Sequence, residues 1–277
     1  MKLLYFSFCL HLFFRSIQCF AGNENYFSGA ASAGMGNASV CSSDLWSCIN
    51  NQAGLAYLKN ISAGINYGNR FLLKELGSKT FAAAIPVNGG TFGISLNNYG
   101  YALYKENKYA LAFAKKLGEN FAAGIQIDYL NTYIGENYGS KKMLTAEIGF
   151  IIRPSKYLCI GAHIYNPNRT KISTYANERI PTILKLGANY KFSEKVTVAF
   201  QADKNVYQNL QFKMGFEYSP AKDFFIRAGI ASDPAQNSFG FGFILKAFSI
   251  DIASSWHPVL GFTPVTSLTY KFSGSEK

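Results

Sequence analysis

Residues 210–218, LQFKMGFEY, place Leu210, Phe212, Met214, Phe216 and Tyr218 on one parity and Gln211, Lys213, Gly215 and Glu217 on the other. A period of two marks a β-strand with one apolar face. A soluble sandwich turns such a face onto a packed core, whereas a membrane barrel turns it outward into lipid. The strand alone does not choose, so the choice rests on the rest of the chain.

From Ile61 onward the same alternating unit recurs about every 15 residues. Segments fall at 61–70, 78–87, 90–100, 104–115, 120–132, 142–153, 156–166, 181–192, 195–204, 209–218, 223–231, 238–246, 248–257 and 264–273. That makes about fourteen, an even number, as a single-chain outer-membrane barrel requires when both ends lie in the periplasm. The breaks also alternate. NGG at 88–90, SEK at 193–195 and KA at 246–247 are tight, while NTYIGENYGSKK at 131–142 and NPNRTKISTYANERIP at 166–181 are long and polar. A soluble sandwich has no reason to sort its loops in this way, so the apolar face is expected to meet lipid.

The facing pattern supports this. Val196, Val198 and Phe200 oppose Thr197, Ala199 and Gln201, and Phe239, Phe241 and Phe243 oppose Gly240 and Gly242. Asp128, Glu147, Lys185, Lys213, Glu217, Arg227 and Asp251 all take the parity opposite the apolar one. A charge facing the bilayer midplane costs roughly 2–4 kcal/mol, which is the pressure that sorts them inward. Tyr270 and Phe272 end the last strand on the outward parity, where an interfacial aromatic girdle belongs. The expected fold is all-β: a closed antiparallel transmembrane β-barrel of about 14 strands over residues 61–273, with a short C-terminal tail at 274–277.

Composition agrees. Aromatic residues make up 16% of the 277 residues, with 25 glycines, and the formal charge is +11. The lysines are spread singly along an exported chain, so they form no basic patch and no nucleic-acid partner is expected. Residues 1–21, MKLLYFSFCLHLFFRSIQCFA, read as a signal peptide cleaved after Ala21, too short and interrupted to span a membrane. Bulky Gln18 disfavours lipid attachment at Cys19. The expected location is therefore the outer membrane of a Gram-negative bacterium, with outer-membrane lipid as one partner. Of the five cysteines, Cys41, Cys48 and Cys159 remain after cleavage. Cys41 and Cys48 lie seven apart and could pair in an oxidising periplasm, while Cys159 reads as a small buried residue.

Catalytic chemistry is thin. His163 and His257 are the histidines left after cleavage, and neither a zinc-spaced His/Cys set, a G-x-S-x-G elbow nor a Walker loop is present. His163 shares the inward parity with Cys159 and Tyr165, which suits a hydrogen-bonded lumenal histidine better than a Cys–His catalytic pair. The chain is read as a non-enzyme with no cofactor and no metal.

Residues 22–60 lack the strand period and are dense in small residues, as suits a plug or hatch segment packed closely inside the wall. Inward Gly64, Gly93, Gly124, Gly149, Gly187 and Gly215 leave room for it, and Trp46 is expected to pack against such wall glycines. Within this segment, Gly29–Val40 (GAASAGMGNASV) with Gly34, Met35 and Gly36, then Asp44 and Trp46, then Asn50–Ala56 (NNQAGLA) with Asn51 and Gly54, resemble a known signature. It is that of the FadL-like outer-membrane family and its PorV and PorQ relatives in Bacteroidota, written G-x-x-x-x-G-M-G-x-A-x-V, D-x-W-S and N-P-A-G-L. Gln52 stands where that pattern has proline.

The resemblance implies one of two functions. In the first, a hydrophobic, fatty-acid-like small molecule crosses the outer membrane and leaves sideways through the wall. In the second, a PorV/PorQ-like non-catalytic component or scaffold serves type IX secretion, with secretion components as partners. For the first, Lys213 and Arg227 are the candidate polar anchors. Both point inward on consecutive strands, so they are expected to approach one another with Glu217, or a ligand carboxylate, between them.

Overall fold

The computed structural model describes residues 29–136, 138–172 and 179–272. The expected signal peptide, the first residues of the plug segment and the tail at 274–277 lie outside them. Fourteen strands form one antiparallel sheet that closes on itself. They are β1 (Ser62–Asn69), β2 (Gly77–Val87), β3 (Gly90–Tyr101), β4 (Tyr104–Lys116), β5 (Phe121–Ile134), β6 (Gly139–Ile152) and β7 (Leu158–Tyr165). They continue as β8 (Ile183–Ser193), β9 (Val196–Asn205), β10 (Leu210–Ala221), β11 (Phe224–Ser232), β12 (Ala235–Leu245), β13 (Phe248–His257) and β14 (Gly261–Lys271). Closure comes from β1 against β14, where Gly64 pairs with Thr269 and Ile65 with Leu268.

The outer face is apolar along its whole girth. Ile65, Leu111, Ile127, Leu186, Phe200, Phe212, Phe239 and Ile252 are all exposed. A continuous apolar surface of this extent is stable only against lipid. At the end of the barrel where β1 begins and β14 ends, aromatic rings touch around the circumference. Phe92 meets Phe113, Phe121 meets Phe150, Tyr190 meets Phe192, Phe224 meets Phe243, and Tyr270 meets both Phe248 and Phe272. The rings form the girdle expected of an interface, where an apolar body with a polar edge is most at home.

One expected long loop is short. β5 and β6 run on to the pair Ile134 and Gly139, which reduces the break drawn at 131–142 to a tight turn. The ladder continues above the apolar band with polar residues such as Lys141 and Lys142 on its strands, so alternation fades while hydrogen bonding does not.

Residues 29–58 lie inside the barrel as two short helices, α1 (Ala30–Gly34) and α2 (Ser47–Asn50), followed by a 3-10 turn over Gln52–Tyr57. Residues 29–55 track around the wall at one level. Gly34 meets Gly240, Met35 meets Gly215, Gly36 meets Gly229, and Val40 meets Gly161 and Gly187. Asn51 meets Gly149, Ala53 meets Gly124, Leu55 and Cys48 meet Gly93, and Leu45 meets Gly64. Where glycine is missing from that level, buried alanine takes its place at Ala82, Ala84, Ala112, Ala114, Ala199 and Ala253. The wall is thinned to backbone along the line where the segment touches it, which lets main chain approach main chain.

Trp46 packs on Gly29 of its own segment, where a Cβ would stand 2.6 Å from the indole, and shares a buried cluster with the wall alanines Ala82, Ala84, Ala112 and Ala114. Gly29 itself holds φ at +95°, a conformation that glycine alone adopts without strain. Gly54 supports the chain reversal before β1, since a Cβ there would lie 2.2 Å from the Ser42 carbonyl.

Candidate functional site

The wall parity puts a set of charged side chains into the lumen, and the register decides how they pair. Glu217 on β10 stands directly opposite Arg227 on β11, whereas Lys213 stands opposite Ala231. Lys213 and Arg227 are therefore separated by roughly 13 Å along the sheet, four residues of strand. The expected meeting of these two cations around Glu217 does not occur. Arg227 has two carboxylates of its own: Nε donates to Glu217 at 2.6 Å and Nη1 to Asp251 at 2.7 Å. The guanidinium reaches β13 by lying over Gly242, where a Cβ would be 2.6 Å from Nη1. Lys213 pairs instead with Asp203 on β9 at 2.5 Å.

Asp203 is also held by Gln201, whose Nε2 donates to it at 2.7 Å. The Gln201 carbonyl oxygen in turn accepts the backbone N–H groups of Ser39 and Val40, both at 2.8 Å. The ion pair is thereby tied to the lumenal segment. A second buried network does the same on the other side. Glu147 accepts from Gln52 Nε2 at 2.7 Å, from His163 Nε2 at 2.8 Å, and from Lys108. Lys108 also faces Asp128 at 3.5 Å and lies over the Tyr165 ring. Gln52, which stands where the resembled signature has proline, thus docks onto a buried carboxylate. His163 is a hydrogen-bonded lumenal histidine and makes no pair with Cys159.

The remaining motif residues hold the segment in shape. Asn51 Nδ2 donates to the carbonyls of Val40, Phe150 and Ala162 at 2.6, 3.3 and 3.4 Å. Asp44 precedes α2, and its carboxyl is pushed up to about 6. Burial is the main cause, the charge of Asp251 adds to it, and the backbone N–H groups of Trp46 and Ser47 oppose it.

Above the segment is a cavity of about 650 Å³. Ala33, Gly36 and Asn37 form its floor, and Arg70 and Phe71 from the β1–β2 connection reach its mouth. Phe71 and Leu72 both hold left-handed φ values, +56° and +59°, which fold this connection sharply. The lining combines apolar groups (Phe71, Ile183, Val265) with amides (Asn66, Asn205, Gln211, Gln236) and with Lys185, Asp203 and Lys213. Lys185 stands directly opposite Asp203 across β8 and β9. It is 5% exposed, and among the described residues it makes no hydrogen bond and no ion pair. Asp203 is already bonded to Lys213, and across the whole lining the cations Arg70, Lys185 and Lys213 stand against the carboxylates of Asp203 and Asp233. The cavity wall carries a surplus positive charge that a bound anion would neutralise.

A second, apolar groove of about 610 Å³ lies on the lipid side of β14, β1, β2, β3 and β4, with Ile65, Phe81, Leu96 and Leu268 in its lining. Asn66 borders both spaces.

No protein-family model and no curated protein matches the chain. Solved structures do. The Ralstonia pickettii toluene transporter TbuX superposes with a TM-score of 0.73 at 11% identity, covering 90% of this chain and 100% of that one. The P. putida toluene transporter TodX gives 0.70 at 12%, covering 91% and 100%. A Pseudomonas aeruginosa FadL homologue gives 0.67 at 14%, again covering 91% and 100%. The fold is FadL-like. At these identities the likeness speaks for architecture, and the FadL-like barrel of this chain has to be assigned a function from its own residues.

Parity found Lys185, Lys213, Glu217, Arg227 and Asp251 as lumenal. It passed over Lys108 and Asp203, which share the inward parity but stand toward the loop end of their strands, where charge is unremarkable.

Proposed function

We propose that this FadL-like barrel sits in the outer membrane and takes up a hydrophobic small molecule that carries an anionic head, a fatty acid being the simplest example. The observation that carries the reading is the surplus cation in the cavity wall, Lys185 beside the Lys213–Asp203 pair, with Ile183, Phe71 and Val265 available to an apolar body. A carboxylate at Lys185 would gain a charge-assisted hydrogen bond in a site already withdrawn from water. The likeness in fold to toluene transporters supports uptake, and Asn66, bordering both cavity and lipid-side groove, marks where a ligand would pass sideways into the membrane. No catalytic step belongs to this reading. Arg227 moves from ligand anchor to structural ion pairing with Glu217 and Asp251, while Lys213 contributes to the site through Asp203.

The test is binding of a fluorescent fatty acid to the detergent-purified barrel. Lys185→Gln should weaken binding about tenfold, the equivalent of about 1.4 kcal/mol, and leave the heat-modifiable barrel intact. Unchanged affinity in Lys185→Gln removes the anchor. Copurification of the wild type with a large secretion subunit, without fatty-acid binding, overturns the uptake reading in favour of a scaffold.

A further inference from the structure

The three cysteines among the described residues are free thiols, but they are not equivalently placed. Cys48 is fully buried, its Sγ turned to the Ala83 carbonyl at 3.8 Å and packed against Gly93. Cys41 lies far from it. Its Sγ is 3.4 Å from the carbonyl oxygen of Cys159, and the Sγ of Cys159 is 3.8 Å from the carbonyl oxygen of Cys41. The two residues face one another reciprocally, each sulfur against the other's backbone carbonyl. Contacts of this kind are compatible with Cα atoms about 4–7 Å apart, the span a disulfide needs.

We propose that Cys41 and Cys159 are a disulfide-forming pair that bonds the lumenal segment covalently to β7. The proposal stands whether or not the barrel transports a fatty acid. Cys159 is the more accessible thiol, lying at the start of β7 near Arg153 and Lys191, whereas Cys41 is 4% exposed. The thiolate of Cys159 attacks one sulfur of a small disulfide oxidant and expels one thiolate. Cys41, losing its proton, then attacks the Cys159 sulfur of the mixed disulfide and expels the second. Two protein thiols are oxidised to one disulfide, one oxidant disulfide is reduced to two thiols, and the two protons leave with them. An exported chain meets such oxidants.

The bond would join residues 118 apart in sequence, at a place already dense in contacts. Arg153 Nη2 donates to Ser43 at 2.5 Å and the guanidinium stacks 3.5 Å over Tyr57, while Asn51 and Gln52 hold β6 and β7 as described. Cross-linking fixes the 40–57 half of the segment to the wall by a covalent bond, while the 29–39 half, the floor of the cavity, is held by packing and hydrogen bonds alone.

The experiment uses the full barrel, folded in detergent and treated with oxidised glutathione, then acid-quenched, denatured, alkylated and digested with trypsin for mass spectrometry. Cys41 and Cys48 share one tryptic peptide, so the linkage is assigned with variants. Wild type and Cys48→Ala should yield the peptide bonded to Cys159, and Cys41→Ala should not; Cys41→Ser serves if Cys41→Ala fails to fold. Oxidised wild type should also keep its folded gel mobility to a higher temperature than reduced wild type, a difference lost in the Cys41 variant. A Cys159 linkage that survives Cys41 replacement, or complete alkylation of all three thiols in the folded, oxidant-treated wild type, overturns the proposal.

Discussion

Substituting Gly229 by alanine tests the relation between wall and lumenal segment at its tightest main-chain contact. A Cβ on Gly229 would stand 2.1 Å from the backbone nitrogen of Gly36 and 2.2 Å from the carbonyl carbon of Met35. Ordinary contact begins at 3.4 Å, so one of the two main chains has to retreat by 1.3 Å (3.4 − 2.1). Neither can swing aside. Gly229 is laddered to Gly215 and Ser238, and Gly36 holds a left-handed φ of +65° against the backbone of Ile230. Overpacking of this kind costs about 1–3 kcal/mol, and for a chain of this size each kcal/mol moves the melting midpoint by about 2–4 °C. The folded-to-unfolded mobility shift on a gel, followed against temperature, should fall by about 2–12 °C on these figures. Limited proteolysis should in parallel cut more readily within residues 29–56. Gly118→Ala is the control, because nothing lies within 4 Å of the added carbon. Equal midpoints and equal protease resistance in Gly229→Ala and wild type would refute the close main-chain packing, and so would an equal loss in the control.

Two further outcomes follow from the charges. Replacing Arg227 by Met strands Glu217 and Asp251 without their shared cation and should cost about 3–5 kcal/mol, read as a lower mobility-shift temperature, whereas Glu217→Gln leaves Asp251 paired and should cost less. Equal losses would mean that the guanidinium does not bridge the two acids. Asp44 gives a pH signature. Its folded value of about 6 exceeds the ordinary 3.8, so the native state holds that proton more tightly, and stability falls as pH rises from about 4 to 6 by at most about 3 kcal/mol. Wild type should gain stability between pH 7 and 5 relative to Asp44→Asn, and parallel pH curves for the two proteins would remove Asp44 as the cause.

The barrel was legible because each strand carries its two environments in alternate residues: Phe239, Phe241 and Phe243 outside, Gly240 and Gly242 inside. That information is local, so one sequence suffices. The pairing of charges was not legible, because Lys213 finds Asp203 rather than Glu217 through a register fixed by closure of the whole sheet. The extent of β5 and β6 was lost for another reason: above the apolar band, hydrogen bonds continue while the residues no longer sort by polarity. The contact of Cys41 with Cys159 had no local signal either, since it depends on the path of a segment without a period. Inward glycines were the one hint of that path, and those expected to face the segment all do.

The ring of glycine and alanine around the inside of the barrel also has a mechanical meaning. A sheet resists bending partly through the side chains stacked on its faces, and at this latitude the inner face has almost none of its own. The wall is therefore weakest along a closed line, and the segment that fills the line acts as an internal hoop. A barrel folded without it would not be the same tube with a wider bore. It would be a tube with a crease around its middle, so rigidity here belongs to the two parts jointly.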